Sequence, residues 1–213
     1  MSPTPSDSRT RLLDSAVASF RRKGYSATTV DDICSATGLS KGSFFHHFKG
    51  KEDLALAAVG HWNERTGVLF AQAPYQQVAD PRERLLAYID FRAALLQAGG
   101  LPDVTCLLGT LAQETYDTHP ALRQACGAGI EGHADTLRPT IEAARAMYAP
   151  RAAWSAESLA LFTQAALQGA FVVAKAAGDV QAAMPLVAHL RAYVQGLLPG
   201  QPPAPTASRR PKP

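Results

Sequence analysis

Residues 28–48 read TTVDDICSATGLSKGSFFHHF. Thr28 precedes a short apolar-periodic segment that ends at Gly38, and Asp31 follows it by three positions, as in a variant of the capping box. Ser40 can cap a second short helix. Two short helices joined by a turn that contains glycine are typical of the helix-turn-helix motif. The stretch therefore predicts a helix-turn-helix pair.

The residues before this pair predict a third helix. Apolar residues recur every three or four positions over about 8–23, the last turn is basic, and Gly24 ends the pattern. The three helices can close a small core, whose candidate residues are Leu12, Val17, Phe20, Val30, Ile33, Leu39 and Phe48. On spacing alone, a generic three-helix bundle with a basic surface is the alternative to a DNA-binding unit.

Charge is unevenly distributed along the chain. Residues 1–51 contain eight Lys or Arg and four Asp or Glu, whereas the whole 213-residue chain has a formal net charge of +3. A basic small segment joined to a nearly neutral larger one favours a polyanion-binding head on a body with another task. Nucleic acid is the expected polyanion.

The rest of the chain also has the apolar periods and the start and stop residues of helices. Runs of β-branched residues with period two are missing, so the prediction is an all-α protein of about nine helices. The helices expected after the head cover about 51–72, 81–98, 103–116, 120–148 with a kink at Pro139, 155–177 and 180–198.

Three regions follow from this pattern. We expect a helix-turn-helix domain over 1–50, ordered from about residue 8, a helical effector-sensing and dimerisation domain over 51–198, and a disordered, proline-rich basic tail over 199–213. The chain lacks a long apolar run and a secretory leader, which predicts a cytoplasmic protein without a membrane span. Its three cysteines are widely spaced, which favours neither a disulfide framework nor a metal site, and no cofactor is expected.

The head carries a dense motif: Thr28-Thr29-Val30-x-x-Ile33, then Gly38-Leu39-Ser40-Lys41-Gly42-Ser43-Phe44-Phe45-His46-His47-Phe48, then Lys51-x-x-Leu54. The motif closely resembles the DNA-binding domain of the TetR family of transcriptional repressors. The resemblance implies a homodimer whose two recognition helices enter successive major grooves, about 34 Å apart, on a palindromic double-stranded operator.

The resemblance also assigns contacts residue by residue. It places Lys41, Ser43 and Phe44 at base edges, and Thr29, His47 and Lys51 at the DNA backbone. The other expected DNA-binding residues are Thr28, Ser40, Gly42, Phe45 and His46. Solvated or core positions are the alternative for the two histidines.

Phe45 departs from the family pattern, which usually has tyrosine there. The missing hydroxyl removes one hydrogen bond to phosphate. Either a neighbour such as His47 compensates for that bond, or the affinity for the operator is lower.

Two helical faces in the body predict an effector pocket of mixed polarity. One face presents Cys106, Thr110 and Gln113, and the other presents Gln164, Gln168, Phe171 and Lys175. Taken singly, Cys106 can be a small buried hydrophobe, and Lys175 can be a cation that stabilises a helix C-terminus near Gly178.

Taken together, Cys-Leu-x-x-x-Leu-x-x-Glu from Cys106 and Gly-Ala-x-x-x-x-Lys ending at Lys175 resemble the sensor domain of the N-ethylmaleimide-reductase repressor branch. That resemblance implies sensing of reactive electrophiles or oxidants by a cysteine, with a nearby lysine implicated. An ammonium beside the sulfur would stabilise the reactive thiolate. Cys126 is a weaker candidate for a resolving thiol.

Two alternatives remain for the body. The same repressor could respond to an apolar or anionic ligand that Lys175 holds without a covalent bond. More distantly, Cys106 could serve a thiol-dependent enzyme, but His119 and His133, the nearest candidate bases, lie in no recognisable catalytic motif. We therefore expect no catalytic residues and no enzyme activity.

The last two predicted helices are expected to form the dimer interface as a four-helix bundle with their copies. The residues predicted there are Ala165, Ala166, Gly169 and Ala170 on one helix, and Leu186, Leu190, Tyr193 and Leu197 on the other.

Overall fold

The computed structural model describes residues 5–101 and 105–200. Over these two ranges every regular element is helical and no strand occurs, which confirms the all-α prediction. The α-helices are α1 (Pro5–Lys23), α2 (Val30–Thr37), α3 (Lys41–His47), α4 (Lys51–Ala71), α5 (Pro81–Gln97), α6 (Leu107–Thr115), α7 (Pro120–Asp135), α8 (Arg138–Tyr148), α9 (Ala156–Ala177) and α10 (Met184–Leu197). Short 3₁₀ turns span Pro74–Gln77 and Val180–Ala183.

Local sequence explains how the short helices of the head begin and end. The capping box of α2 is one residue later than predicted, because Thr29 and Asp32 exchange side-chain and backbone hydrogen bonds. Gly38 ends α2 in the left-handed region at φ +65°, and the Ser40 side chain caps α3. Two short helices therefore lie on either side of a three-residue turn.

Two predicted helices in the body differ from the structure. The helix expected over 103–116 begins only at Leu107, while residues 102–104 lie outside the described ranges. The helix expected over 120–148 is two helices, α7 and α8, because Pro139 lies in the first turn of α8, where a missing N–H costs least. This division brings the described α-helices to ten.

Two hydrophobic cores hold the molecule together. The first joins the head to α6 and α7, and its largest fully buried side chains are Leu12, Phe20, Ile33, Phe44, Leu54, Leu107, Leu111 and Leu122. The second lies among α5 and α7–α10, with Tyr88 fully buried within it. Helix α4 contributes to both cores. The division at residue 50 stays a prediction, and the first core shows that the two regions share buried contacts.

Only some of the residues predicted for the dimer interface lie on the surface of the protomer. Ala170 and Leu190 are buried in the protomer's own core, so they cannot meet a copy. Large apolar side chains exposed on α9 and α10 are Leu161, Phe162, Val172, Val173, Leu186 and Tyr193. The Phe162 and Tyr193 rings lie 5.0 Å apart, so the two helices share one apolar surface.

By length and composition, α9 is the one described helix apolar enough to cross a membrane. Its inward side is buried against the other helices of the body: nine of its residues are buried, and seven of these lie in the hydrophobic core. A central core helix has the same composition, which explains this resemblance.

Candidate functional site

Helix α3 presents a polar and aromatic surface to solvent. Its exposed positions are Ser40, Lys41, Gly42, Phe45 and His46, and Ser43 is half-buried. Phe45 is 57% exposed, which is unusual for a phenylalanine without a partner surface. The Lys41 ammonium lies 2.8 Å from Asp31, and this carboxylate raises the pKa of Lys41.

Two predicted DNA contacts are wrong for their side chains. Phe44 is fully buried, where its ring packs against Phe45 and Phe48, so it cannot reach a base edge. Thr28 is also fully buried, and its hydroxyl donates to the carbonyl of Gly24 at 2.7 Å. Both residues stabilise the helix-turn-helix from inside. Each is adjacent in sequence to an exposed residue, but its own side chain faces the small core.

His47 lies on the side of α3 that faces α1. Its Nε2 lies 2.7 Å from the Ser8 hydroxyl, and burial, with the charges of His46 and Arg9, lowers its pKa. The imidazole is therefore neutral at pH 7.

Lys51 is held by the loop that follows α1. Its Nζ donates to the carbonyl of Tyr25 at 3.1 Å and lies 4.3 Å from the centre of that ring. Thr29 is exposed and caps α2. The bond to Tyr25 uses one of the three N–H donors of Lys51, so the ammonium keeps donors for a phosphate, and Thr29 is accessible.

Two arginines of α1 reach the helix-turn-helix, and the sequence did not single them out as site residues. Arg9 lies over the Phe48 ring at 5.4 Å, and Arg11 donates to the carbonyl of Thr37. The basic count of the head was the only signal for them, because their alignment with α3 depends on how α1 packs.

The body contains a cavity of about 180 Å³. It lies beside α4, α5, α6, α7 and α9 and also touches α1. The residues that line it are Arg21, Trp62, Asn63, Thr66, Leu69, Phe70, Arg92, Leu95, Leu96, Thr105, Cys106, Leu108, Gly129, Ile130, His133, Gln164, Gln168 and Phe171.

A hydrogen-bond cluster centred on Tyr88 forms one wall of this cavity. Arg92 Nη1 and Gln164 Nε2 each donate to the Tyr88 hydroxyl at 3.0 Å. The hydroxyl lies 3.0 Å from His133 Nε2 and donates to it. Burial and the Arg92 charge lower the pKa of His133 to about 4, so its ring is a neutral acceptor.

The Arg92 guanidinium lies among aromatic rings. Its central carbon is 5.2 Å from the centre of Phe70, 5.9 Å from Tyr88 and 5.7 Å from Phe171. Within the described ranges, the cavity lining includes two guanidinium groups and no carboxylate. The site is therefore electropositive and aromatic at the same time.

A second, adjoining cavity brings together all six predicted sensor residues. Its lining includes Cys106, Thr110, Gln113, Gln168, Phe171 and Lys175. Lys175 Nζ donates to the Thr110 hydroxyl at 2.8 Å, and that hydroxyl donates to the Cys106 carbonyl at 3.0 Å. Burial, followed by the charge of Arg21, lowers the pKa of Lys175 against the opposing effects of Cys106 and Glu114.

Among the three cysteines, Cys106 is the accessible one. It is half-buried and lines both cavities, whereas Cys34 and Cys126 are buried. Burial, with a smaller effect of Cys106, raises the pKa of Cys126 to about 12, which disfavours a resolving role for that thiol. In the part of the chain that the structure describes, no three His, Cys, Asp or Glu side chains gather as a metal site.

Two polar contacts connect the cavities to the head. Arg21 donates to the carbonyl of Thr105 at 2.7 Å and lies 4.7 Å from the centre of the Trp62 ring. The Ser26 amide donates to Glu114 at 3.0 Å. A change in the position of α6 would therefore reach α1 and the loop after it.

Comparison with known proteins finds two family models along this chain. Residues 12–58 match the model for bacterial regulatory proteins of the tetR family, and residues 81–190 match the tetracyclin repressor-like C-terminal domain. Together they cover both the head and most of the body.

A curated relative is the HTH-type transcriptional regulator LmrA of Bacillus subtilis, 34% identical over 122 residues, which are 56% of this chain and 63% of that protein. The chain spans between 51% and 63% of the length of three such relatives.

Two solved structures are similar over most of the chain. A TetR transcriptional regulator from Chloroflexus aurantiacus has a TM-score of 0.76 and 29% identity, covering 89% of this chain and 95% of that one. The reduced form of NemR from E. coli has a TM-score of 0.74 and 23% identity, covering 93% and 100%. At that identity the second likeness shows the fold alone.

Proposed function

The chain belongs to the TetR family of bacterial regulatory proteins, and on this premise we propose that it is an operator-binding transcriptional repressor that a small-molecule effector releases from DNA. The observation that carries the proposal is the exposed surface of α3, with Lys41 and Phe45 in solvent beside a basic α1. Such a regulator acts in the cytoplasm, where the operator is.

A homodimer would supply two such surfaces to a palindromic site. Large apolar side chains exposed together on α9 and α10, including Phe162 and Tyr193, support this assembly, because adjoining exposed apolar side chains mark protein–protein contacts. We place the two-fold axis there.

Operator binding is tested by selecting duplexes from a random pool and measuring fluorescence anisotropy on the enriched sequences. We expect an inverted repeat, and binding that weakens steeply with salt. Lys41→Ala should weaken binding by about tenfold, since one groove contact is worth 1–3 kcal/mol. Arg123→Ala, an exposed position on α7, is the matched control and should bind like the wild type. Equal affinity for the inverted repeat and random DNA would refute the proposal.

For the effector, we propose that Cys106 adds to a reactive electrophile. Two observations support this proposal: Cys106 is accessible from both cavities, and the Lys175 ammonium binds Thr110, which in turn contacts Cys106. In such an addition the sulfur bonds to the activated carbon of a C=C bond, and the thiol proton ends on the neighbouring carbon. The new group would displace α6 and, through Arg21 and Glu114, the head.

Treatment of the protein–operator complex with a maleimide tests the thiol trigger. The wild type should release DNA as mass spectrometry shows one adduct at Cys106, and Cys106→Ser should stay bound. Cys34→Ser, which alters a buried thiol, is the control and should respond like the wild type. Release of DNA by the treated Cys106→Ser protein would leave non-covalent binding as the mechanism.

The enzyme alternative has less support. His133 Nε2 bonds to Tyr88, and His119 Nδ1 lies 2.8 Å from the Thr118 hydroxyl. Neither of these bonds involves a cysteine, so we propose a regulator without catalysis.

A further inference from the structure

The electropositive cavity of the body points to a specific chemical class of ligand. We propose that it binds a small aromatic carboxylate, with the carboxylate paired to Arg92 and the ring packed among Phe70, Phe171 and Trp62. The role of this ligand as an effector rests on the proposed function, whereas its binding to the cavity does not.

Charge is the first argument. The Arg92 guanidinium donates to the Tyr88 hydroxyl and lies 3.4 Å from His133 Nε2, whose lowered pKa of about 4 leaves the ring uncharged. None of the ion pairs found in the described ranges includes Arg92, and the cavity lining there has no Asp or Glu. A half-buried cation without a counter-ion favours an anion in the adjoining space.

Geometry distinguishes a carboxylate from a simple inorganic ion. A guanidinium has five N–H donors in a planar fork that matches the two oxygens of a carboxylate. The described contacts of Arg92 use one nitrogen, Nη1, which Tyr88 holds in place. Because Gln164 and His133 fix that hydroxyl in turn, the fork is oriented before any ligand arrives.

Size and lining specify the rest of the ligand. A cavity of about 150 Å³ holds one benzene molecule, and this cavity measures about 180 Å³. Its aromatic walls include Trp62, Phe70 and Phe171. A single aromatic ring with one carboxylate therefore fits both the volume and the surface.

His133 adds a condition to this binding site. The groups that face it are Tyr88 and Arg92 from α5 and Phe70 from α4. No acid lies among them, and the neutral His133 supplies no charge to the ligand. Arg21, the other guanidinium of the lining, donates to the Thr105 carbonyl and lies over the Trp62 ring. We therefore assign the carboxylate to Arg92.

The test measures binding without DNA. Trp62 lines the cavity, so its fluorescence reports occupancy directly, and Trp154→Phe leaves it as the sole tryptophan. The probes are benzoate and phenylacetate, each compared with its neutral amide of nearly the same shape. We expect at least one acid to bind at least about tenfold more tightly than its amide. Equal binding of acid and amide, or no binding of either acid, would overturn the proposal.

Variants locate the interaction. Arg92→Gln should reduce acid binding to the level of the amide, Arg92→Lys should keep part of the preference, and Arg123→Gln should bind like the wild type. A preference that survives in a folded Arg92→Gln protein would overturn the assignment to Arg92. If that variant unfolds, the comparison of acid and amide on the wild type still decides the question.

The result separates from the other proposals. Acid binding without any operator preference would refute the repressor and keep the carboxylate site. Operator release by the amides and not by the acids would keep the repressor and refute an aromatic acid as its effector.

Discussion

At the scale of single residues, burial sets the chemistry of the cavity more than residue type does. Tyr88 is fully buried and its hydroxyl joins Arg92, Gln164 and His133. The sequence predicts none of these contacts, because the four residues come from three helices. It singled out His133 only as a candidate base for an enzyme, whereas the structure makes it a neutral acceptor.

His133 gives a pH dependence whose sign follows from its lowered pKa. Above its ordinary value of 6.5 the ring is neutral in both states, so stability is highest there. As the pH falls from 6.5 to about 4, only the unfolded chain takes up a proton, and the free energy of unfolding should fall by about 3 kcal/mol. Below about pH 4 the folded protein also takes up this proton, so His133 causes no further loss of stability.

The check is urea denaturation of the wild type and His133→Gln between pH 7 and pH 4. The glutamine keeps a polar group without a titrating ring, so the difference in stability between the two proteins should narrow by about the same amount. Parallel curves over that range would contradict a neutral, buried His133.

At the scale of helices, local sequence determines where an element ends, and packing determines what it meets. Gly24 and Gly38 both follow a helix with positive φ, at +85° and +65°. A Cβ at Gly38 would contact nothing within 4 Å, whereas one at Gly24 would lie 1.9 Å from Glu114 Oε1. Gly38 is therefore needed for its backbone conformation alone. Gly24 is needed for its conformation and also leaves room for the Glu114 side chain of the body.

This pair of glycines makes a matched test of the junction between head and body. Gly38→Ala should lower the free energy of unfolding by about 1 kcal/mol, the cost of a left-handed conformation with a side chain. Gly24→Ala should lower it further, because Glu114 must also leave Ser26. Thermal unfolding of both variants gives the comparison, and equal losses would show that the Glu114 contact contributes nothing.

At the scale of the whole molecule, the head and body are connected through shared buried contacts. Leu107, Leu111 and Leu122 of the body lie in the same core as Leu12 and Phe20 of the head. A change in the cavity can therefore reach the DNA-binding surface without a flexible linker, which is what an effector-controlled repressor needs.

The assembly is testable at this scale. Phe162→Glu places a charge in the proposed interface, and we expect it to convert a dimer to a monomer in sedimentation velocity. Tyr116→Glu, at a position 62% exposed on another surface, is the control and should stay dimeric. A dimer that persists in Phe162→Glu would move the interface elsewhere on the molecule.

The local patterns of the chain were sufficient for much of this protein. The capping residues, glycine stops and apolar periods between residues 8 and 54 predicted the three head helices, because each signal acts within a few positions of the chain. Helical spacing in the body predicted two faces, six of whose residues line one cavity. Their role as a sensor stays a prediction. The predicted tail lies almost wholly outside the described residues.

Only the tertiary structure decided which of these residues are accessible and which polar groups meet. In the folded protein Phe44 and Thr28 are buried, and Lys51 binds the Tyr25 carbonyl. Arg92 lies beside Phe70 and His133. Periodicity assigns a residue to one side of its own helix, but a buried cation or an aromatic wall depends on how separate helices pack. Contacts between distant parts of the chain leave no local pattern. For that reason the cluster around Arg92 follows only from the fold, whereas the helix-turn-helix follows from the sequence.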